Sequence, residues 1–184
     1  AYDQTGTIAI RAVSKENEKV YYQGEFTVKN PLSLAKVTEG DIYKGMEVTF
    51  KAVNKGNDAD AADYNWTVES NVSGVEISSG TTIENGVLKI AYDEQATSLK
   101  IIAVNKDNEN ISGYITLNVL NPLAISRSPI GRVYKGQQVT YTIKLKGNQS
   151  DAADYDWTVE SATEGKELSA ETTIKDGVLS IAID

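Results

Sequence analysis

The chain has 184 residues, 40% hydrophobic and 24% charged, a balance that fits one large or two small globular domains. Its formal net charge of −8 opposes binding to nucleic acid or to an anionic membrane surface, because phosphate contacts need Lys and Arg. With no Cys and no His, the chain cannot form disulfides, thiolate metal sites or His-based triads, and it lacks the commonest general base.

Along the chain the periodicity is that of β-strands. Residues 1–30 predict two strands, with Ile8, Ile10 and Ala12 on the first and Phe26 and Val28 on the second. Asn30-Pro31-Leu32 then interrupts the pattern. Proline removes a ladder donor and holds the residue before it extended, which marks a domain junction. Seven short strands follow, near Leu32–Val37, Met46–Val53, Tyr64–Ser70, Thr81–Ile83, Val87–Tyr92, Ser98–Val104 and Tyr114–Leu120. Met46 to Ala52 and Tyr64 to Glu69 alternate apolar and polar residues, the signature of a half-buried strand. Asn85-Gly86 supplies the two positive φ angles of a type I′ hairpin turn. Lys55-Gly56-Asn57-Asp58 reads as a polar loop. This strand count, with Trp66 on the third strand, predicts an immunoglobulin-like sandwich with the indole in its core.

The chain then repeats itself. Shifted by 91 residues, 1–93 lie on 92–184 without a gap, and 42 of the 93 pairs are identical. Asp60-Ala61-Ala62-Asp63-Tyr64-Asn65-Trp66-Thr67-Val68-Glu69-Ser70 returns from Asp151 to Ser161 with one change, Asp156 for Asn65. Asn121-Pro122-Leu123 marks a second junction and Asp176-Gly177 a second hairpin turn. A fixed period of this size is duplication, and each unit is long enough for its own core. The expected architecture is all-β: tandem immunoglobulin-like β-sandwiches with a split domain at each end. Residues 1–30 carry the last two strands of one sandwich, 31–121 form a complete one, and 122–184 carry the first five strands of another.

Several stretches resemble the bacterial immunoglobulin-like domains, group 2 type. They are Trp66-Thr67-Val68-Glu69-Ser70, Thr81 to Ile90, Ala96 to Val104 and Ser112 to Val119. The resemblance covers nearly the whole chain when both copies are counted. It implies a sandwich fold and a role as spacer, adhesin module or phage virion decoration. It carries no catalytic residues and no cofactor.

The candidates for chemistry are the acidic residues and the tyrosines. Asp58, Asp60 and Asp63 form an acidic cluster, but a calcium site needs six to eight oxygens and the second copy has Gln149 in place of Asp58. Capping of a one-turn helix by Asp60 and Asp151 is the expected role instead. Tyr21-Tyr22 is read as a sugar-stacking pair or, more simply, as a solvated or interface-packed pair. Asn65, Asn71, Asn110 and Asn148 each begin an Asn-x-Ser/Thr sequon, meaningful only where a glycosylation machinery exists. No metal, cofactor or catalytic residue is expected, and the chain is read as no enzyme.

The two split ends are complementary. Burying Ile8, Ile10, Phe26 and Val28 contributes about 1.5–3 kcal/mol each, in sum comparable to the roughly 5–15 kcal/mol net stability of a domain. The subunit interface predicted from this is the strand pair of residues 1–30, through Ile8, Ile10, Ala12, Phe26 and Val28, docked on Tyr155, Trp157 and Val159 of another copy. Alternatively, neighbouring repeats of a longer array supply the missing strands. Alanine at position 1 fits a processed chain or a fragment. The expected protein is an extracellular surface fibre, pilus-like filament or stalk with a role in adhesion or biofilm scaffolding. Its partner is itself or a neighbouring repeat, with a host-surface or glycan ligand left open and neither nucleic acid nor membrane insertion expected. A phage tail or capsid decoration, placed on a virion, and a carbohydrate-binding module are the alternatives.

Overall fold

The structure, a computed structural model, describes residues 6–183. It is all-β, with antiparallel ladders, one isolated parallel bridge between Tyr43 and Leu120 and two single 3-10 turns among the described residues, and it divides into two units, Ala1–Leu120 and Asn121–Asp184.

In the first unit, β1 (Gly6–Val13) and β2 (Tyr21–Val28) form a hairpin and pair only with each other among the described residues. There follow β3 (Leu32–Lys36), β4 (Glu47–Asn54), β5 (Asn57–Ala59), β6 (Tyr64–Ser70), β7 (Thr82–Glu84), β8 (Val87–Lys89), β9 (Ser98–Asn105) and β10 (Ser112–Asn118). They make two sheets. One has the order β3-β4-β8-β7, with β5 attached to β4; the other has the order β10-β9-β6. Each of the seven strands expected between residues 32 and 120 is present.

The strand β5 lies where the sequence predicts a polar loop. Lys55 and Gly56 take φ of 49° and 84°, so the supposed polar loop is a tight turn between β4 and β5. Its backbone resembles that of Asn85 (47°) and Gly86 (78°) between β7 and β8.

The two sheets share one hydrophobic cluster. The alternation Val48-Phe50-Ala52 on β4 and Leu99-Ile101-Ala103 on β9 sends these side chains to the same interior, where Leu88 and Leu117 join them. Trp66 packs against this cluster half-buried rather than inside it. Its indole N–H donates to the Ala61 carbonyl at 2.9 Å, a partner that full burial in an apolar core would deny it. Asp60 caps the 3-10 turn before β6, accepting from the Ala62 N–H at 2.9 Å; Asp151 does the same for Ala153 at 3.0 Å. Asp58 instead pairs with Lys51 at 2.8 Å.

The second unit holds β11 (Leu123–Ser128), β12 (Gln138–Leu145), β13 (Asn148–Ser150), β14 (Thr173–Lys175) and β15 (Val178–Ser180). They form a single sheet, β11-β12-β15-β14 with β13 on β12. β12 to β15 lie 91 residues after β4, β5, β7 and β8. Residues 155–161, expected as a strand, join no ladder among the described residues. The physical reason is visible in the first unit, where β6 owes its ladder to β9 along its whole length. Among the described residues, no strand of the second unit pairs with 155–161.

Candidate functional site

The β1–β2 register sets Ile8 opposite Phe26, Ile10 opposite Gly24, Ala12 opposite Tyr22 and Gly6 opposite Val28. Directly paired residues share a face, so Ile8, Ile10, Ala12, Phe26 and Val28 all lie on one side of the hairpin. The other side carries Thr7, Arg11, Gln23, Glu25 and Thr27. The apolar side is open: Ile10 is 52% exposed and Phe26 50% exposed. Ala12 is exposed, and Ile8 and Val28 are half-buried.

Their mates 91 residues on are core. Leu99, Ile101 and Ala103 on β9 are fully buried, and Leu117 and Val119 are 9% and 3% exposed. The hairpin β9–β10 has the same pairing, with Leu99 opposite Leu117 and Ile101 opposite Ile115. One hairpin design therefore occurs twice, covered in one place and bare in the other.

The single sheet of the second unit shows the converse. Ile125 is 54% exposed, whereas its mate Leu34 is 9% exposed. An open groove of about 510 Å³ runs over Val133, Val139, Tyr141, Leu179, Ile181 and Arg127. Val139 is buried like its mate Val48, but Val133, Tyr141, Leu179 and Ile181 are half-buried where their mates Ile42, Phe50, Leu88 and Ile90 in the first unit are buried; there the chain leaving β10 reaches Ile42, whose carbonyl accepts from the Leu120 N–H at 2.8 Å.

Tyr155, Trp157 and Val159 are half-buried along the unladdered segment. The segment is held by side chains. Trp157 donates its indole N–H to the Ala152 carbonyl at 2.8 Å, Tyr155 donates its hydroxyl to Ser150 Oγ at 3.1 Å, and the Tyr141 and Trp157 rings lie 5.8 Å apart.

Tyr21 and Tyr22 are both exposed, in line with the solvated reading, and the sugar-stacking alternative fails. Tyr21 and Tyr22 are successive in β2 and point to opposite faces, so they form no stacking pair. The Arg11 guanidinium lies 4.7 Å over the Tyr21 ring. Tyr22 belongs to the apolar face and folds over Gly24, where an added β-carbon would lie 2.8 Å from the Tyr22 hydroxyl. Sequence reasoning missed Tyr22 as part of that face; the signal was its even spacing from Phe26 and Val28.

What this arrangement offers chemically is surface and backbone: an apolar hairpin face, an apolar groove and, among the described residues, a segment at 155–161 that joins no ladder. No protein-family model and no curated protein matches the chain.

Proposed function

We propose that the protein is a non-enzymatic, extracellular structural protein of immunoglobulin-like repeats whose copies join head to tail. The β1–β2 hairpin of one copy completes the open sheet of the next, giving a surface fibre that serves adhesion or biofilm scaffolding. One observation carries this reading: the face of Ile8, Ile10, Ala12, Phe26 and Val28, exposed or half-buried, against the buried state of its mates Leu99, Ile101, Ala103, Leu117 and Val119. A bare strand edge and a strand with an unspent apolar face are the two halves of strand addition. A head-to-tail contact of this type need not close, and so extends into a filament.

The test is electron microscopy and size exclusion of the purified chain. Long filaments one domain wide are expected. Deleting residues 1–30, or changing Ile10 and Phe26 to Asp in the full chain, should abolish them while circular dichroism keeps its β signal. A chain that stays monomeric at high concentration refutes the reading.

A further inference from the structure

The geometry points to one register for this joint: β1 of one copy pairs antiparallel with residues 155–161 of the next, with Ala12 opposite Trp157, Ile10 opposite Val159 and Val13 opposite Asp156. This inference rests on strand complementation between copies and adds which residues meet.

The first unit supplies the template. β6 and β9 pair with Trp66 opposite Ala103, Val68 opposite Ile101 and Asn65 opposite Val104. The ladder continues past both ends of β6, where Lys106 N–H donates to the Asp63 carbonyl and Asn71 N–H to the Ser98 carbonyl, each at 2.9 Å. Shifted by 91 residues, those bonds become Lys15 N–H to the Asp154 carbonyl and Ala162 N–H to the Thr7 carbonyl.

Side chains select this register over its neighbours. A one-residue slip turns Ile8, Ile10 and Ala12 outward and drives the Arg11 charge into the core. A two-residue slip keeps the faces but sets Ile10 or Ser14, rather than Ala12, opposite Trp157. The covered tryptophan of the first unit also faces an alanine, Ala103.

The joint departs from its template at one place. An added β-carbon at Gly113 would lie 2.9 Å from the Leu32 carbonyl oxygen, so β10 crosses β3 closely there. The mate of Gly113 is Tyr22, and the mate of half-buried Ile115 is Gly24. Because the Tyr22 ring lies over Gly24, it fills the volume that the Ile115 side chain fills in the first unit. β2 and β11 of the next copy accordingly stand further apart than β10 and β3.

The absence of cysteine makes cross-linking a clean test. Val13 and Asp156 are both exposed, and residues directly opposite in a ladder lie within disulfide reach. The full chain carrying V13C and D156C should give, under mild oxidation, a ladder of covalent multimers on a non-reducing gel. V13C with E160C should not, since four residues of slip is about 13 Å. A ladder from V13C and E160C instead overturns the register and leaves strand complementation standing. Filaments that neither pair cross-links also overturn the register. Absence of any assembly, or a cross-linked monomer, overturns strand complementation between copies and the register with it.

Discussion

Trp157 leans on Gly177 as Trp66 leans on Gly86. A β-carbon at Gly177 would lie 3.3 Å from the Trp157 ring and 2.9 Å from the Tyr141 carbonyl oxygen; at Gly86 the distances to Trp66 and the Phe50 carbonyl oxygen are 3.4 and 2.6 Å. Both glycines have positive φ, 76° and 78°. The turn and the indole thus form one lock that pins 155–161 in place without a ladder.

Replacing Gly86 by Ala should destabilise the first unit by at least about 2 kcal/mol, from the left-handed backbone at roughly 1–2 kcal/mol and overpacking at roughly 1–3 kcal/mol. Gly74 also has positive φ, but an added β-carbon there meets nothing within 4 Å. G74A should therefore cost only the backbone part, about 1–2 kcal/mol. Urea unfolding followed by Trp fluorescence compares the two; equal costs would remove the lock.

Glu94 organises the connection from β8 to β9. It is fully buried and accepts from the Ala96 N–H at 2.8 Å, the Ser78 N–H at 3.1 Å and the Thr81 hydroxyl at 2.6 Å. E94A strands these donors, each at about 1–3 kcal/mol, so a loss of at least about 3 kcal/mol is expected. E94Q keeps one carbonyl but turns an amide N–H₂ toward a donor, and should cost less. The exposed Glu84 is the control, since E84Q should stay within about 0.5 kcal/mol of the parent.

Strand alternation and the 91-residue shift made Val48-Phe50-Ala52, the Asn85-Gly86 turn and the Asp60 cap legible, because each depends on residues close in sequence. Glu94 was not legible. In a chain with 26 Asp and Glu one more carboxylate carries no pattern, and its partners converge only after folding. β5 was hidden for a related reason: Asn57-Asp58-Ala59 has no apolar residue large enough to show alternation, and Lys-Gly is a weaker turn signal than Asn-Gly. At the candidate site the five aliphatic and aromatic residues of β1 and β2 could be read from their spacing. Tyr22 shares that spacing, but the placement of its ring over Gly24 could not be read, since it depends on the space left by a residue without a side chain.

Ile10 and Ile101 should respond oppositely to the same substitution. Ile101 is fully buried in the first unit, so I101A should cost about 2–5 kcal/mol of its stability. I10A removes nothing from a packed core of the isolated copy and should shift unfolding by less than about 0.5 kcal/mol. In concentrated samples I10A should raise the protein concentration at which filaments form, whereas the parent assembles lower. A large loss of monomer stability from I10A would place Ile10 in an intramolecular core and refute its role between copies.

The two tryptophans allow assembly to be followed in solution. Trp66 has β9 beside its strand, while Trp157 has no strand beside it among the described residues. With W66F, Trp157 is the sole indole, and its ring is half-buried in the separate copy. Adding β1 along 155–161 brings Ala12 and the hairpin backbone over the exposed edge and removes water from it. Emission should move to shorter wavelength and acrylamide quenching should fall as filaments grow. With W157F the remaining Trp66 already has its full set of neighbours, and both quantities should stay constant through assembly. If Trp66 reports the change and Trp157 does not, the hairpin docks elsewhere.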